Sequence, residues 1–251
     1  MTRLPLTPNR IYRIDAIDGL KRLENESVDL IVTDPPYNIA AADRLTMKSG
    51  TPISTLKVWG AWDRFHPFDY DVLIMQVISE CYRVLKPGGA FYMFTAREQN
   101  GVFVRKAVER GFTYRNQLAM VKKNPIPSLS KTNYRSAFEL CMYLTKGKPS
   151  VFNFVSQAEC KNVFHFANTH RKTKHPTEKP LEFIRLLVRA SSNEGDLVLD
   201  PFMGSGTTAV AAKALGRNYL GFDLNEEYVK MARDRLRLID PPDDAEAKAA
   251  A

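Results

Sequence analysis

LVLDPFMGSGTTAVAAKALGRNYLGFD, Leu197 to Asp223, decides the fold. Its first residues are a short apolar run of the length a buried strand has. The run ends at Asp200, and a turn holding Gly204 and Gly206 follows. Glycines there permit tight dihedrals and close backbone approach. Residues 208–215 then read as a helix. Its first N–H groups face the turn, and Ser205, Thr207 or Thr208 can cap it. The next strand, 218–223, ends at Gly221-Phe222-Asp223. An acid at that position holds a ribose diol in nucleotide-binding α/β folds. Together these elements predict an adenosine site, with Asp200 near the cofactor's charged end. The turn is neither GxGxxG nor a P-loop, because no Gly-Lys-Ser/Thr follows. The glycines alone also fit a structural βα turn, and Asp223 also fits a helix-start acid.

Working outward, a second strand carries unusual chemistry at its carboxyl end. VDLIVTDPPYNIA, Val28 to Ala40, is an apolar run stopped by Asp34-Pro35-Pro36-Tyr37. In isolation Asp34 reads as a turn former before proline. Strands are expected at 11–15, 90–96, 112–121 and 137–147. Helices are expected at 16–25, Phe68–Leu85 (stopped by KPGG at 86–89), Gln99–Arg110 (capped by Gly111), 180–190 and 225–238. Residues 41–67 read as a long loop, the kind that is usually functional or mobile. Residues 148–178 take no firm assignment. The tail 240–251 reads as disordered. Strands alternating with helices predict a doubly wound, mostly parallel sheet with ligands at the strands' carboxyl ends.

The chain has 251 residues, 44% hydrophobic and 25% charged, which suits one large α/β domain over residues 1–239. No apolar run has the length of a signal peptide core or a membrane span, so a cytoplasmic protein without membrane contact is expected. Cys81, Cys141 and Cys160 lie far apart, which argues against a disulfide framework. The net charge is +8, and its location is informative. Between Arg115 and Lys179 stand twelve Lys and Arg against Glu139, Glu159 and Glu178. Such a stretch suits a polyanion, although a solvated surface reads the same way. His165, His170 and His175 recur every five residues, a spacing that does not stack on one helix face. No metal site is expected.

Three motifs carry a resemblance: DPPY at 34–37, DPFMGSGTT at 200–208 and HPTEKP at 175–180. They resemble the amino-methyltransferases of DNA, which use S-adenosylmethionine to methylate adenine-N6 or cytosine-N4. The order, catalytic motif first and cofactor turn last, is similar to the circularly permuted β arrangement of that family. The resemblance spans about residues 11–238. It implies a Rossmann-like, seven-stranded sheet with one antiparallel hairpin. It implies cofactor contacts from Phe202, Gly204, Gly206, Thr207 and Thr208, with Asp223 on the ribose. Thr177 and Lys179 would approach the cofactor's carboxylate. An acid near the first strand also frames the cofactor in this family, normally after a glycine; here Asp15 follows Ile14.

The motif DPPY fits the chemistry. An exocyclic amine on an aromatic base has a delocalised lone pair and is a poor nucleophile. Asp34 can accept a hydrogen bond from it and draw the nitrogen toward tetrahedral geometry, beside the cofactor. Pro35, followed by Pro36, lacks an N–H and holds its φ, so its carbonyl can be aimed as a second acceptor. Tyr37 offers a face for an extruded base. The resemblance implies duplex DNA as substrate, read by insertions at about 41–66, 122–136 and 148–174. Lys122, Lys123, Lys131, Arg135, Arg171, Lys172 and Lys174 are the expected phosphate contacts. Tyr134, Phe152, Phe154, Phe164 and Phe166 read as core. A homodimer and a cognate restriction endonuclease are partners the resemblance brings with it. Asp34 favours adenine, since serine is commoner in cytosine-N4 enzymes. A catalytically silent DNA-binding protein and a small-molecule methyltransferase are the competing functions.

Overall fold

The computed structural model describes residues 6–38, 65–125, 131, 134–166 and 178–239. The strands are β1 (Arg10–Arg13), β2 (Val28–Thr33), β3 (Leu85–Thr95), β4 (Thr113–Lys122), β5 (Phe138–Thr145), β6 (Val163–Phe166), β7 (Leu197–Asp200) and β8 (Asn218–Asp223). The helices are α1 (Ala16–Leu20), α2 (Pro67–Val84), α3 (Asn100–Arg110), α4 (Leu181–Ser191), α5 (Thr207–Ala214) and α6 (Glu226–Arg237). All eight strands form one sheet, in the order β1-β8-β7-β2-β3-β5-β4-β6.

Seven strands are expected, and the described residues hold eight. The eighth is β6, a parallel edge strand on β4, drawn from the unassigned 148–178 region. Only four residues long, it lacks a readable period, but Phe164 and Phe166 pack against Phe183 of α4. β5 is the reversed strand, antiparallel to both β3 and β4. The doubly wound, mostly parallel reading therefore holds.

The period of two places the core on both faces. Ile31, Phe91 and Met93 face α1, α2 and α3. Leu30, Val32, Tyr92 and Phe94 face α4 and α5. A third cluster joins Ile11 of β1 to α5 and α6.

Two boundaries differ from expectation. The predicted helix over 16–25 is a single turn, α1, followed by irregular backbone. KPGG does not stop α2 from a loop. Leu85, at φ −72° and ψ 133°, passes straight from helix to strand. Lys86-Pro87-Gly88-Gly89 lies within the start of β3, where the register with β2 shifts between Val28 and Leu30. Gly88 takes φ +81°, and a Cβ on Gly89 would stand 2.8 Å from the Asp29 carbonyl oxygen. The glycines admit an irregular strand entry beside β2.

The carboxyl ends of β2, β7 and β8 lie together and carry Asp34, Asp200 and Asp223. The opposite end of the sheet holds residues 148–155. Ser150 N–H donates to Gly88, and the Asn153 side chain donates to Arg189 and Ser192 at the end of α4. Phe152 and Phe154 are exposed there rather than core, and Tyr134 is 97% exposed. Phe164 and Phe166 pack as predicted.

Candidate active site

A cavity of about 480 Å³ opens at the carboxyl ends of the central strands and joins the two motifs. Asp34, Pro35, Pro36 and Tyr37 form one wall, and Asp200, Phe202, Gly204, Ser205, Thr207, Thr208 and Asp223 another. Asp15, Lys179, Phe94 and Glu139 also line it. β2 and β7 are hydrogen-bonded neighbours, Leu30 against Val198 and Ile31 against Leu199. Two motifs far apart in sequence thus end side by side.

Asp34 lies one residue beyond β2. Tyr37 Oη donates to its Oδ1 at 2.7 Å, and Lys179 Nζ donates to its Oδ2. Tyr70 of α2 donates to the Pro36 carbonyl at 2.8 Å, which fixes the proline pair. Lys179 is 9% exposed, and its ammonium stands 4.9 Å from the Phe94 ring centre and 5.4 Å from that of Tyr37. It also lies 3.2 Å from Glu139 Oε2, whose Oε1 is 2.5 Å from Lys122 Nζ. The result is an alternating chain of charges, Asp34, Lys179, Glu139, Lys122. Burial pushes the Asp34 carboxyl above the ordinary range, against the pull of Lys179. Burial also opposes ionisation of Glu139, but the Lys179 and Lys122 ammoniums outweigh it and bring that carboxyl down to about 2. Burial works against the Lys179 charge as well. The two carboxylates overcome it and hold the ammonium above the usual lysine range.

Lys179, expected at the cofactor's carboxylate, is therefore engaged with Asp34 and Glu139. Lys122, expected on a phosphate, turns inward to Glu139. Glu139 belongs to no motif, and only the β4–β5 pairing brings it here. Thr177 lies outside the described residues, as do Arg171, Lys172 and Lys174.

The glycine turn is built as the sequence predicts, with one difference in its cap. Gly204 and Gly206 take φ of +51° and +85°. Gly206 itself is the N-cap of α5, and Ser205, Thr207 and Thr208 make no cap bond. A Cβ on Gly206 would stand 2.6 Å from Ala232 Cβ of α6, so both space and dihedral require glycine. Asp223 Oδ2 accepts from Gly204 N–H and Oδ1 from Asn225 N–H, each at 2.8 Å. Burial raises its carboxyl above the usual range. Asp200 lines the cavity but is committed within the protein. It accepts from Thr33 Oγ1 and Thr208 Oγ1 at 2.8 Å each and from Phe202 N–H at 3.0 Å. Burial pushes it up to about 7 despite those bonds. Asp15 caps α1, accepting from Ile17 and Asp18 N–H.

Arg235 of α6 was not anticipated. Its guanidinium donates to Ser205 O at 2.7 Å, Ser205 Oγ at 3.0 Å and Thr207 Oγ1 at 3.3 Å. It also pairs with Glu178 at 2.8 Å. One side chain thus ties the glycine turn to the HPTEKP segment.

The site fits a cationic nucleoside cofactor. A cradle that only glycine can form stands beside an acid at the end of the neighbouring strand. The same cavity carries Asp15, Asp34, Asp200 and Asp223, an acidic lining suited to a sulfonium. Its apolar wall includes Ile14, Leu73 and Phe202.

The profile of the N6/N4 DNA methylase family matches residues 28–234. The type II methyltransferase M.HinfI of Haemophilus influenzae is 33% identical over 258 residues, covering 95% of this chain and 71% of that protein. M1.MboII of Moraxella bovis is 31% identical over 267 residues, covering 89% and 95%. Among solved structures, the M1.HpyAVI–SAM complex superposes with a TM-score of 0.71 at 27% identity, over 91% of this chain and 99% of that one. The cytosine-N4-specific PvuII DNA methyltransferase superposes at 0.73 with 19% identity, over 98% and 92%, a likeness of fold. The paired motifs, the sheet that joins them and these relatives lead to one conclusion: the chain belongs to the N6/N4 family of S-adenosylmethionine-dependent DNA methyltransferases.

Proposed function

We propose that the chain is a site-specific adenine-N6 methyltransferase acting on duplex DNA. One observation carries the reading: Asp34 stands in a cavity between an aromatic face and the glycine turn, with its carboxylate held by Tyr37 and Lys179. Within this family an aspartate at that position accompanies adenine, and serine is commoner for cytosine-N4.

When bound, S-adenosylmethionine supplies an electrophilic methyl group on a sulfonium. Gly204, Gly206, Phe202 and Asp223 would hold it, with Asp15, Ser205, Thr207 and Thr208 around them. Asp34 accepts a hydrogen bond from the target amino group, offsets the positive charge that builds on the nitrogen as it becomes tetrahedral, and is placed to take the proton that nitrogen then releases. The carboxylate has lone pairs beyond those used by Tyr37 and Lys179. Phe94 and the Tyr37 ring form an apolar wall for the extruded base. Alignment of amine and methyl group supplies much of the remaining acceleration.

Charge supports DNA as the partner. The intervals 39–64, 126–133 and 167–177 carry eight Lys and Arg against Asp43 and Asp63. Phe65 and Glu178, which adjoin the first and third of these intervals, line the cavity. Asn38 accepts from Phe65 N–H at 2.9 Å, Arg135 donates to the Pro125 carbonyl, and Lys123 N–H donates to Phe166. We assign the phosphate contacts to Lys123, Lys131, Arg135, Arg171, Lys172 and Lys174. The type II methyltransferase relatives favour a place in a restriction–modification pair.

The test is to methylate unmodified plasmid DNA, digest it to nucleosides and identify the product by mass spectrometry. N6-methyladenine is expected. N4-methylcytosine without N6-methyladenine would establish the cytosine reading instead. Asp34→Ala is expected to lower methyl transfer by roughly 10²–10⁴-fold while DNA and cofactor binding persist. Full activity in that variant would remove Asp34 from the mechanism.

A further inference from the structure

Glu139 sits on β5 beside the cavity and shares a buried ammonium with Asp34. Lys179 Nζ donates to Asp34 and stands 3.2 Å from Glu139 Oε2, while Glu139 Oε1 is 2.5 Å from Lys122. An isolated Lys–Asp pair would favour the ionised carboxylate but saturate it, leaving a poor acceptor for a further proton. A second carboxylate on the same ammonium divides that field. It acts on the ammonium as a charge at 3.2 Å, whereas the hydrogen bond from Lys179 goes to Asp34.

We propose that Glu139 is a positioning residue for methyl transfer, sharing the Lys179 ammonium so that Asp34 keeps its acceptor strength for the target amine. This rests on the reading of Asp34 as that acceptor. Asp34 is faced by Lys179 from the segment before α4, by Tyr37 Oη, and by Glu139 and the Cys141 thiol from β5. Lys122 of β4 stands behind Glu139, and Asp200 of β7 lies across the cavity. Glu139 and Lys122 can be changed without removing a hydrogen bond made to Asp34. They carry opposite charges, so the two substitutions must act in opposite directions.

The experiment is single-turnover methyl transfer to unmethylated plasmid DNA, with tritiated S-adenosylmethionine and enzyme in excess. It runs between about pH 5 and 9 on the wild type, Glu139→Gln, Lys122→Gln and the double variant. For Glu139→Gln the acid limb is expected to move to lower pH, and the plateau to fall about tenfold, a fraction of what proton handling usually contributes. Cofactor affinity should stay within about twofold, since the cradle is untouched. Lys122→Gln should move the acid limb to higher pH. The double variant, with charge balance restored, should return it near the wild-type position. An acid limb unmoved in Glu139→Gln, or shifted the same way in both single variants, overturns the proposal. If Glu139→Gln does not fold, the Lys122→Gln limb decides: no upward shift overturns it. Survival of activity in Asp34→Ala is a separate failure, that of the acceptor reading itself.

Discussion

Asp200 commits both carboxylate oxygens to its own chain, to Thr33, Phe202 and Thr208. Burial pushes its carboxyl up to about 7, well above the unfolded value. The folded state therefore binds a proton that the unfolded state releases. The stability this group contributes is full below the ordinary carboxylate range and is lost as pH rises through about 7. Asp200→Asn cannot ionise. Its melting temperature relative to wild type should rise steadily between about pH 4 and 8, read by thermal unfolding. A constant difference would mean that Asp200 is not the titrating group. At this scale the sequence is readable where chemistry is contiguous. Asp34, Tyr37, Gly204 and Gly206 sit in short motifs whose residue types are set by the turn and the reaction. Glu139 and Lys122 are not, since their meeting depends on the register between β4 and β5 and on a lysine arriving from ahead of α4.

Helix α6 shows how an element far from any motif enters the site. The sequence predicts a helix over 225–238, and no motif there singles out Arg235. Packing against α5 turns it inward, where it holds Ser205, Thr207 and Glu178 together. Arg235→Ala should remove the buried ion pair with Glu178 together with the bonds to the glycine turn, at a cost of about 3 kcal/mol by denaturant titration. Cofactor affinity, measured calorimetrically, should fall with it. Arg235→Lys should restore little, because an ammonium cannot reproduce the guanidinium fork. An unchanged affinity in Arg235→Ala would show that the turn holds its shape alone. Strand and helix positions were legible from periodicity in most of the chain. The exceptions share a cause. β6 is four residues on a sheet edge, and KPGG reads as a helix stop although β2 accepts it as an irregular strand entry.

Across the whole molecule, the two ends of the sheet differ in role. Asp34, Asp200 and Asp223 stand at one end, and Phe65 and Glu178, which adjoin two of the basic intervals, line the same cavity. Residues 148–155 lie at the other, so the early part of the expected 148–174 insertion faces away from the cavity. Replacing Arg171, Lys172 and Lys174 together with alanine should reduce the salt dependence of DNA binding by about three in log–log slope. Lys148→Ala, an exposed cation at the far end, should leave the slope unchanged. Fluorescence anisotropy titrations over a range of salt concentrations distinguish the two. Equal effects would mean that DNA does not favour the cavity end. The adjacency of β2 and β7 also governs when the protein becomes competent. Asp34 leaves the ribosome well before Lys179, which follows 145 residues later, and before Asp200 and Thr208. β1 must wait for β8 before it has its partner in the sheet. Because such long-range pairings form late and slowly, a nascent or truncated chain carries the DPPY motif without a site around it. Methylation can therefore begin only once the chain through β8 has been translated.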